Sequence, residues 1–404
     1  MARPLPRLRL DLDLMPSPAE DRPGLLMRDS QGYTGAMLIV PPPLVACLEL
    51  YDGESTDLDM KQLLFRITGD LDNAHIEEQL TQALDEAGFL QNERFQELMA
   101  TAHREFRESA VREPAHAGTA YPDSPEEARG MLDEYMTDAP ASSVSDKLIG
   151  IAAPHVSPFG GWQTYRAAYS ALDDRHRERT FVILGTSHAG EPDAFGLTRK
   201  PYSTPLGEAV PDLALINELA AEPAARMEDY CHRTEHSIEF QVLYLQHRFG
   251  PNIRIVPLLC GSFARSICDG GLPEDNEHVK RFLANLGEVA SREADKLVWV
   301  LGIDMAHMGA RYGDPFEAQV NEERMTEVER RDRSRIASVV RGDRRSFWEQ
   351  VQENGDDLKW CGSSPLYTFL SAVPNARGTV RGYEQWNIDD ASVVSFAALE
   401  FGQA

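Results

Sequence analysis

The chain has 404 residues, of which 65 are Asp or Glu and 40 are Lys or Arg, so its formal net charge is -25. Nucleic acids and anionic membrane surfaces are unfavourable partners for such a chain, because both attract clustered Lys and Arg. Hydrophobic residues make up 42% and charged residues 26% of the chain, which excludes fibrous, disordered and membrane-spanning classes and predicts two or three globular domains.

The first 92 residues are predicted to form a small α+β domain. Leucines alternate with charged residues from Leu8 to Leu14, which predicts a half-buried strand. The hydrophobic period then lengthens to that of helices, and this order of elements indicates a winged-helix-like unit. Its other predicted elements are strands at Gly24–Met27 and Ala36–Val40 and helices at Pro42–Tyr51, at Asp57–Thr68 and after the N-cap Asn73.

A highly charged segment, residues 93–112, is predicted to be a helix that connects this domain to a larger one over residues 113–404. In the larger domain, almost unbroken apolar runs alternate with helical patterns, which is typical of strands covered on both faces. The predicted fold class is α/β, with a mostly parallel central sheet and helices on both faces. The predicted strands are Lys147–Ala152, Thr180–Leu184, Ile253–Leu259, Leu297–Leu301, Gly378–Tyr383 and Ala391–Leu399.

The cysteines and the N-terminus indicate a reducing compartment. The five cysteines are widely spaced and include no CxxC pair, which argues against a disulfide framework or a zinc ribbon. The N-terminus lacks the apolar run of a signal peptide, and prolines interrupt the most apolar stretch, residues 35–48. We therefore expect a cytoplasmic protein with reduced cysteines.

Three of the eleven histidines follow predicted strands closely. Ligands bind beyond the carboxyl ends of the strands in a sheet of this kind, and His155, His188 and His307 stand after the first, second and fourth strands. If these strands are parallel neighbours, the three imidazoles meet at one edge of the sheet. Imidazole is the commonest metal ligand, so a transition-metal site is favoured over three unrelated loop or capping histidines.

Cys361 and Asp304 are further candidates. Cys361 stands just ahead of a predicted helix, whose positive dipole end favours a thiolate that either ligates a soft metal or reacts. The alternative is a buried, inert cysteine. Asp304 lies three residues before His307, where it is expected either to orient the His307 imidazole as a part of the catalytic pair or to cap a turn.

A second cluster surrounds His232 and His236, whose i, i+4 spacing would let them share a metal if the segment is helical. Arg233 stands where the glutamate of HExxH is required, so a zinc protease is disfavoured. Glu235 and His236 are expected to line the site, with Glu235 or Ser237 capping the helix that follows. The sequence contains no GxGxxG, P-loop or GxSxG motif, which leaves nucleotide binding by those routes and serine hydrolase chemistry unsupported.

In order, these motifs resemble the Memo family, labelled AmmeMemoRadiSam system protein B in prokaryotes. The resemblance covers about residues 113–404. The family resembles the class III extradiol dioxygenases, whose vestibule holds a metal. The matching stretches are His116–Pro122, Ala153–His155, Leu184–His188, Thr204–Gly207, Glu235–Glu239, Ile255–Pro257, Asp304–Gly309 and Cys361–Pro365.

Carried over by motif, the resemblance implies His155, His188 and Cys361 as metal ligands and His307 as the acid/base histidine. It implies copper or iron as the ion, with zinc as a further candidate. Two imidazoles and a thiolate favour copper or zinc, whereas two imidazoles and a carboxylate would suggest non-haem iron. The residues around these positions depart from the family pattern, as at Val156–Pro158, so the resemblance does not imply a substrate.

The N-terminal unit resembles the PqqD-type peptide-recognition winged helix that partners radical SAM enzymes. The acidic charge fits such a role better than it fits a DNA-binding wing. Together the resemblances imply a metal-dependent oxidoreductase that acts with a radical SAM protein or a peptide partner. The alternatives are a non-catalytic peptide-binding module on a degenerate dioxygenase scaffold and, less favoured, a zinc hydrolase.

Overall fold

The computed structural model describes residues 2–19, 21–70, 72–138 and 148–403. The strands of these residues form two sheets. The chain divides into two units, residues 1–109 and residues 110–404. No helix within the described ranges combines the length and the apolar character that a bilayer crossing requires.

The first unit is built on a three-stranded antiparallel sheet. It contains strands β1 (Leu12–Pro16), β2 (Leu25–Asp29) and β3 (Met37–Val40) and helices α1 (Pro42–Val45), α2 (Asp57–Thr68), α3 (Ala74–Glu86) and α4 (Glu93–Glu108). β2 is the central strand. The first strand begins later than predicted, because Leu8 pairs with Leu90 in an isolated bridge instead. The strand-to-helix order follows the prediction, and the winged-helix likeness stays a prediction.

A large mixed sheet organises the second unit and, within the described residues, has eleven strands. They are β4 (Leu148–Ala153), β5 (Thr180–Thr186), β6 (Phe195–Leu197), β7 (Tyr202–Thr204), β8 (Gly207–Pro211), β9 (Ala225–Met227), β10 (Arg254–Cys260), β11 (Leu297–Gly302), β12 (His307–Gly309), β13 (Ala376–Asp389) and β14 (Ser392–Gln403). The four predicted apolar runs form adjacent parallel strands in the order β4–β11–β5–β10. Lys147, at the start of the first run, lies outside the described residues.

Helices cover both faces of this sheet, so the predicted α/β class is confirmed. On β5, Val182 and Leu184 pack into one buried cluster, whereas Phe181 and Ile183 pack into the other. This alternation is what a strand buried on both faces requires. The helices are α5 (Pro125–Met136), α6 (Pro158–Tyr169), α7 (Leu213–Leu219), α8 (His236–Phe249), α9 (Ala264–Asp269), α10 (Glu277–Arg292), α11 (Glu323–Val340), α12 (Arg344–Gln352) and α13 (Ser363–Ala372).

The two predicted C-terminal strands are longer than expected and run antiparallel. β13 pairs with β14, and β14 pairs with β4 at the edge of the parallel core. β14 also pairs with β12, whose first residue is His307. The hairpin therefore holds the segment that carries this histidine beside the carboxyl ends of the parallel strands.

A buried ion pair fixes the segment before α5 to α8. Arg112 and Glu239 form a salt bridge in which both side chains have no exposed surface. The guanidinium also donates to the backbone carbonyl of Glu235 at 2.9 Å. The Glu239 carboxylate accepts from the backbone N–H of His116 at 3.0 Å and from the Tyr121 hydroxyl. Sequence-distant segments are thus joined beneath the strand ends that carry the predicted site.

We predict that Arg112→Met lowers the free energy of unfolding by about 3–5 kcal/mol, because it leaves the buried Glu239 carboxylate without its cation. Denaturant unfolding measures the change. Arg330→Met is the control, because Arg330 pairs with Glu327 in an exposed ion pair and should leave the midpoint unchanged. Equal midpoints for Arg112→Met and the wild type would contradict the assigned role.

Candidate metal centre

Three parallel strands carry the predicted site residues to one edge of the sheet. β11 lies between β4 and β5, so the carboxyl ends of the three strands meet. His155 follows β4, His188 follows β5 and Asp304 follows β11. The condition that the sequence left open, that these strands are parallel neighbours, is met.

Three imidazoles converge at this edge. The ligand atoms offered by His155, His188 and His236 all lie within 4.8 Å of one another. His155 is buried, whereas the side chains of His188 and His236 are 39% and 34% exposed. The cluster is therefore buried at His155 and accessible at His188 and His236.

His236 reaches the cluster because α8 touches the sheet at a glycine. At Gly302, the last residue of β11, a Cβ would lie only 2.1 Å from the backbone carbonyl oxygen of Ser237. The Ser237 hydroxyl in turn donates to the backbone carbonyl of Thr186 at 3.1 Å. This approach depends on packing, and the sequence indicated His236 only as a residue that lines the site.

His232 does not join His236, so the i, i+4 interpretation is wrong. Tyr230–Arg233 forms a 3₁₀ turn, and a break at Thr234 separates this turn from α8. His232 is completely buried, and its Nδ1 lies 2.6 Å from the Tyr202 hydroxyl. The two histidines are therefore in different environments.

Cys361 lies against the imidazoles. Its Sγ is 3.2 Å from Nε2 of His155 and 4.0 Å from Nε2 of His307. Helix α13 begins two residues later, which places the sulfur near the positive end of the helix dipole. Gly362 permits this approach, because a Cβ there would lie 2.6 Å from the backbone carbonyl oxygen of Asp304.

Hydrogen-bond acceptors hold the Nδ1 atoms of His155 and His188, and a carboxylate oxygen lies near that of His236. Nδ1 of His155 lies 3.0 Å from the carbonyl oxygen of Gly302, and Nδ1 of His188 lies 2.9 Å from the Glu235 carboxylate. The same carboxylate is 3.3 Å from Nδ1 of His236. Since the oxygens beside His155 and His188 accept, we assign the ring protons of these two histidines to Nδ1, which leaves the Nε2 lone pair for a metal.

His307 also has a fixed ring proton. Its Nδ1 lies 2.8 Å from the carbonyl oxygen of Met305 and 3.0 Å from that of Lys359. Nδ1 therefore donates, and Nε2 is the basic position. Lys359 has a φ of 53°, in the left-handed region that side chains rarely adopt. Backbone strain of this kind is concentrated at functional sites, and here it falls on a residue whose carbonyl orients His307.

The Asp304 carboxylate is directed at His155. It accepts from the backbone N–H groups of His155 and Val156 at 2.9 and 3.3 Å, and it lies 3.4 Å from Nε2 of His155. The sequence hypothesis had Asp304 orient His307. The structure gives that role to two backbone carbonyls, because the turn after β11 directs the carboxylate back toward the end of β4.

Burial and opposite charges together set the protonation of the cluster. Burial raises the pKa of Cys361, but the imidazoles of His155 and His307 outweigh it and hold the thiol pKa well below its usual range. Burial lowers the pKa of His155, whereas Asp304 and Cys361 raise it, to about 9. The metal-free cluster therefore pairs a thiolate with protonated imidazole at neutral pH.

Glu235 couples the two partly exposed histidines. Burial raises the pKa of Glu235, but His188 and His236 reverse the shift and hold it well below the usual value. Burial lowers the pKa of His188, and the Glu235 carboxylate raises it well above its usual value. Burial lowers the pKa of His236 well below its usual value. His236 is therefore neutral and ready to donate its lone pair.

The cluster opens into a cavity of about 570 Å³, a size typical of small-molecule sites. His307 and Cys361 line this cavity together with the three clustered histidines. Imidazole nitrogen and thiolate sulfur are ligands that transition metals prefer over Mg²⁺ or Ca²⁺. The donors present thus fit a transition-metal ion.

Comparison with known proteins agrees with the motif resemblance. Residues 112–400 match the family model for Memo-like protein. The chain is 26% identical to a MEMO1 family protein of Aquifex aeolicus over 387 residues, which cover 93% of this chain and 95% of that protein. It is 32% identical to a MEMO1 family protein of Thermococcus kodakarensis over 64% of this chain and 86% of the relative. The Aquifex match therefore includes most of the first unit.

We predict that Cys361 of the metal-free protein reacts with iodoacetamide at nearly the same rate from about pH 7 to about pH 9, because the sulfur is already a thiolate. An ordinary thiol gains about tenfold in rate per pH unit below a pKa of about 8.5. Mass spectrometry of the Cys361 peptide measures the rate, and the exposed Cys268 in the same digest is the internal reference. A tenfold gain per pH unit at Cys361 would contradict the thiolate.

Proposed function

The chain belongs to the Memo-like protein family, and from this premise we propose that its second unit is a metal-dependent oxidoreductase. The observation that carries the proposal is the convergence of three imidazoles and a thiolate on one cavity. Site side chains that point apart would favour a non-catalytic module on a degenerate scaffold. In the described residues these side chains converge instead.

We assign His155, His188 and Cys361 as the residues that hold the metal, and we add His236 to this set. Copper or iron bound there would supply redox chemistry that amino-acid side chains lack. Glu235 would fix the rings of two ligands at once, since its carboxylate lies against Nδ1 of both His188 and His236.

His307 is the proposed acid/base residue. Because its Nδ1 proton is held by two backbone carbonyls, Nε2 is the atom that would accept a proton from a substrate hydroxyl and return it. Cys361 raises the pKa of His307 against the opposing effect of burial. Tyr312 contacts the ring edge-on at 4.9 Å between centroids, which limits its rotation.

A zinc hydrolase is the weaker candidate, because zinc hydrolases of the HExxH type use a free carboxylate as the general base. Among the described residues that line the cavity, Asp304 is the one that carries a carboxylate. Two backbone N–H groups already donate to this carboxylate. Glu235 is committed to the two imidazoles. Both carboxylates are thus used for positioning.

We predict that the wild-type protein binds close to one equivalent of copper or iron and that His155→Ala and Cys361→Ser bind less than a tenth as tightly, since each removes a donor. Glu235→Gln should bind about 10–100-fold more weakly, because it loosens the orientation of two ligands. Elemental analysis after anaerobic purification and chelator competition measure these changes. His278→Ala, an exposed histidine on α10, is the control and should bind normally.

Unchanged metal affinity in His155→Ala would contradict the assigned ligands. The oxidoreductase assignment has its own readout, which is oxygen uptake by the loaded protein with ascorbate as reductant and catalase present. The metal-loaded wild type should take up oxygen faster than His155→Ala, which serves as the blank. Equal uptake by the two would refute redox function while leaving metal binding intact.

We further propose that the first unit recruits a radical SAM protein or a peptide. Leu10 and Met37 are 89% and 72% exposed there, and the chain is acidic overall. These features suit a protein partner better than nucleic acid.

We predict that Met37→Asp weakens co-purification of a co-expressed radical SAM protein from the same organism. Ser30→Asp, on the loop beside β2, is the charge control, and equal recovery with both variants would contradict this surface.

A further inference from the structure

The cavity has an apolar wall next to the proposed acid/base residue. Val156, Val394 and Phe396 form a small buried cluster, against which Tyr312 and Ile388 pack. All but Phe396 line the cavity. Since His307 lies against Tyr312, the apolar wall adjoins the histidine that would supply polar chemistry, and the cavity offers both kinds of contact. A ligand with a hydrocarbon body fits this division.

Apart from the histidines, the described residues that line this cavity include two cationic side chains, Arg311 and Lys359, and they differ in how their charge is compensated. The Lys359 ammonium donates to the Asp314 carboxylate at 2.7 Å. Arg311 has its nearest carboxylate, that of Asp389, at 3.9 Å, which is beyond hydrogen-bond distance. Of these two permanent cations, Arg311 is thus the one without a hydrogen-bonded carboxylate.

The backbone around Arg311 holds it in a defined place. Arg311 is in the short 3₁₀ turn Ala310–Tyr312, and its backbone N–H donates to the Ser392 hydroxyl at 3.0 Å. Its side chain is 48% exposed. The guanidinium is therefore accessible to a ligand, and the turn that carries it also carries the tyrosine against His307.

The net charge of the whole chain bears on which ligands Arg311 would attract. With a net charge of -25, the protein repels anions in general, so an available cation on a cavity provides selective attraction rather than bulk attraction. A guanidinium presents two parallel N–H donors that match a carboxylate. A solvent-exposed pair at 3.9 Å is weak enough for a ligand to displace it.

Resting on the proposed function, we propose that the cavity binds a small carboxylic acid with an apolar body, whose carboxylate pairs with Arg311 while its opposite end faces His307 and the histidine cluster. A carboxylate is preferred to a phosphate because Arg311 offers one charge, whereas the imidazoles of the cluster already lie beside the Cys361 sulfur and the carboxylates of Asp304 and Glu235. The second cation, Lys359, is already neutralised by Asp314, and a phosphate dianion would leave one negative charge uncompensated on an acidic protein.

Calorimetric titration of the metal-free full-length protein with phenylacetate, its uncharged amide phenylacetamide, and benzylphosphonate tests this assignment. The wild type should bind phenylacetate about tenfold or more tighter than the amide, as expected for a charged hydrogen-bonded pair. Arg311→Gln should remove that preference and Arg311→Lys should keep part of it. Arg324→Gln, an exposed arginine stacked on Phe316 outside this cavity, should keep all of it.

An undiminished preference in Arg311→Gln, or no measurable phenylacetate binding to the wild type, would overturn the inference. Tighter, Arg311-dependent binding of benzylphosphonate would overturn the choice of carboxylate. Circular dichroism and metal loading of Arg311→Gln should match the wild type. Failure of the wild type to load metal would refute the proposed function alone, because the Arg311-dependent preference is measured without metal.

Discussion

The candidate site depends on the pairing of β11 between β4 and β5, with all three strands parallel. That pairing brings His155 and Asp304, which are 149 positions apart in the chain, within hydrogen-bond distance. It also places His188 on the other side of the Asp304 strand. Each strand is anchored by apolar side chains on both faces, so the geometry of the cluster is set by the core rather than by loops.

The first turn of α8 adds what the strand ends do not provide. Glu235 caps the helix, holds His188 and lies beside His236, which supplies the third ring, and Glu239 pairs with the buried Arg112. The close approach at Gly302 lets this turn reach the sheet. Helix α13 contributes from the opposite direction with Cys361 ahead of its first residue. Two helix N-termini and three strand ends thus surround one cavity.

The sequence predicted the parts of this arrangement that depend on local pattern. Apolar runs indicated the four core strands, and their positions placed His155, His188 and His307 near one edge. The i, i+4 spacing of His232 and His236 wrongly predicted a shared metal, because a turn precedes Glu235 and separates His232 from the helix. The strands β6 to β9 are short, and α11 is rich in charged residues. Their sequences therefore show no strong hydrophobic periodicity from which these elements could be predicted. The place of His236 depends on tertiary packing at Gly302, which no local pattern encodes.

The central claim is that Cys361 and the clustered imidazoles bind one metal ion together. X-ray absorption spectroscopy at the edge of the bound metal tests it most directly, because sulfur and nitrogen scatterers are distinguishable. The account predicts one sulfur together with imidazole nitrogens around the ion in the wild type, and loss of the sulfur in Cys361→Ser. A wild-type spectrum with nitrogen and oxygen neighbours and no sulfur would contradict it.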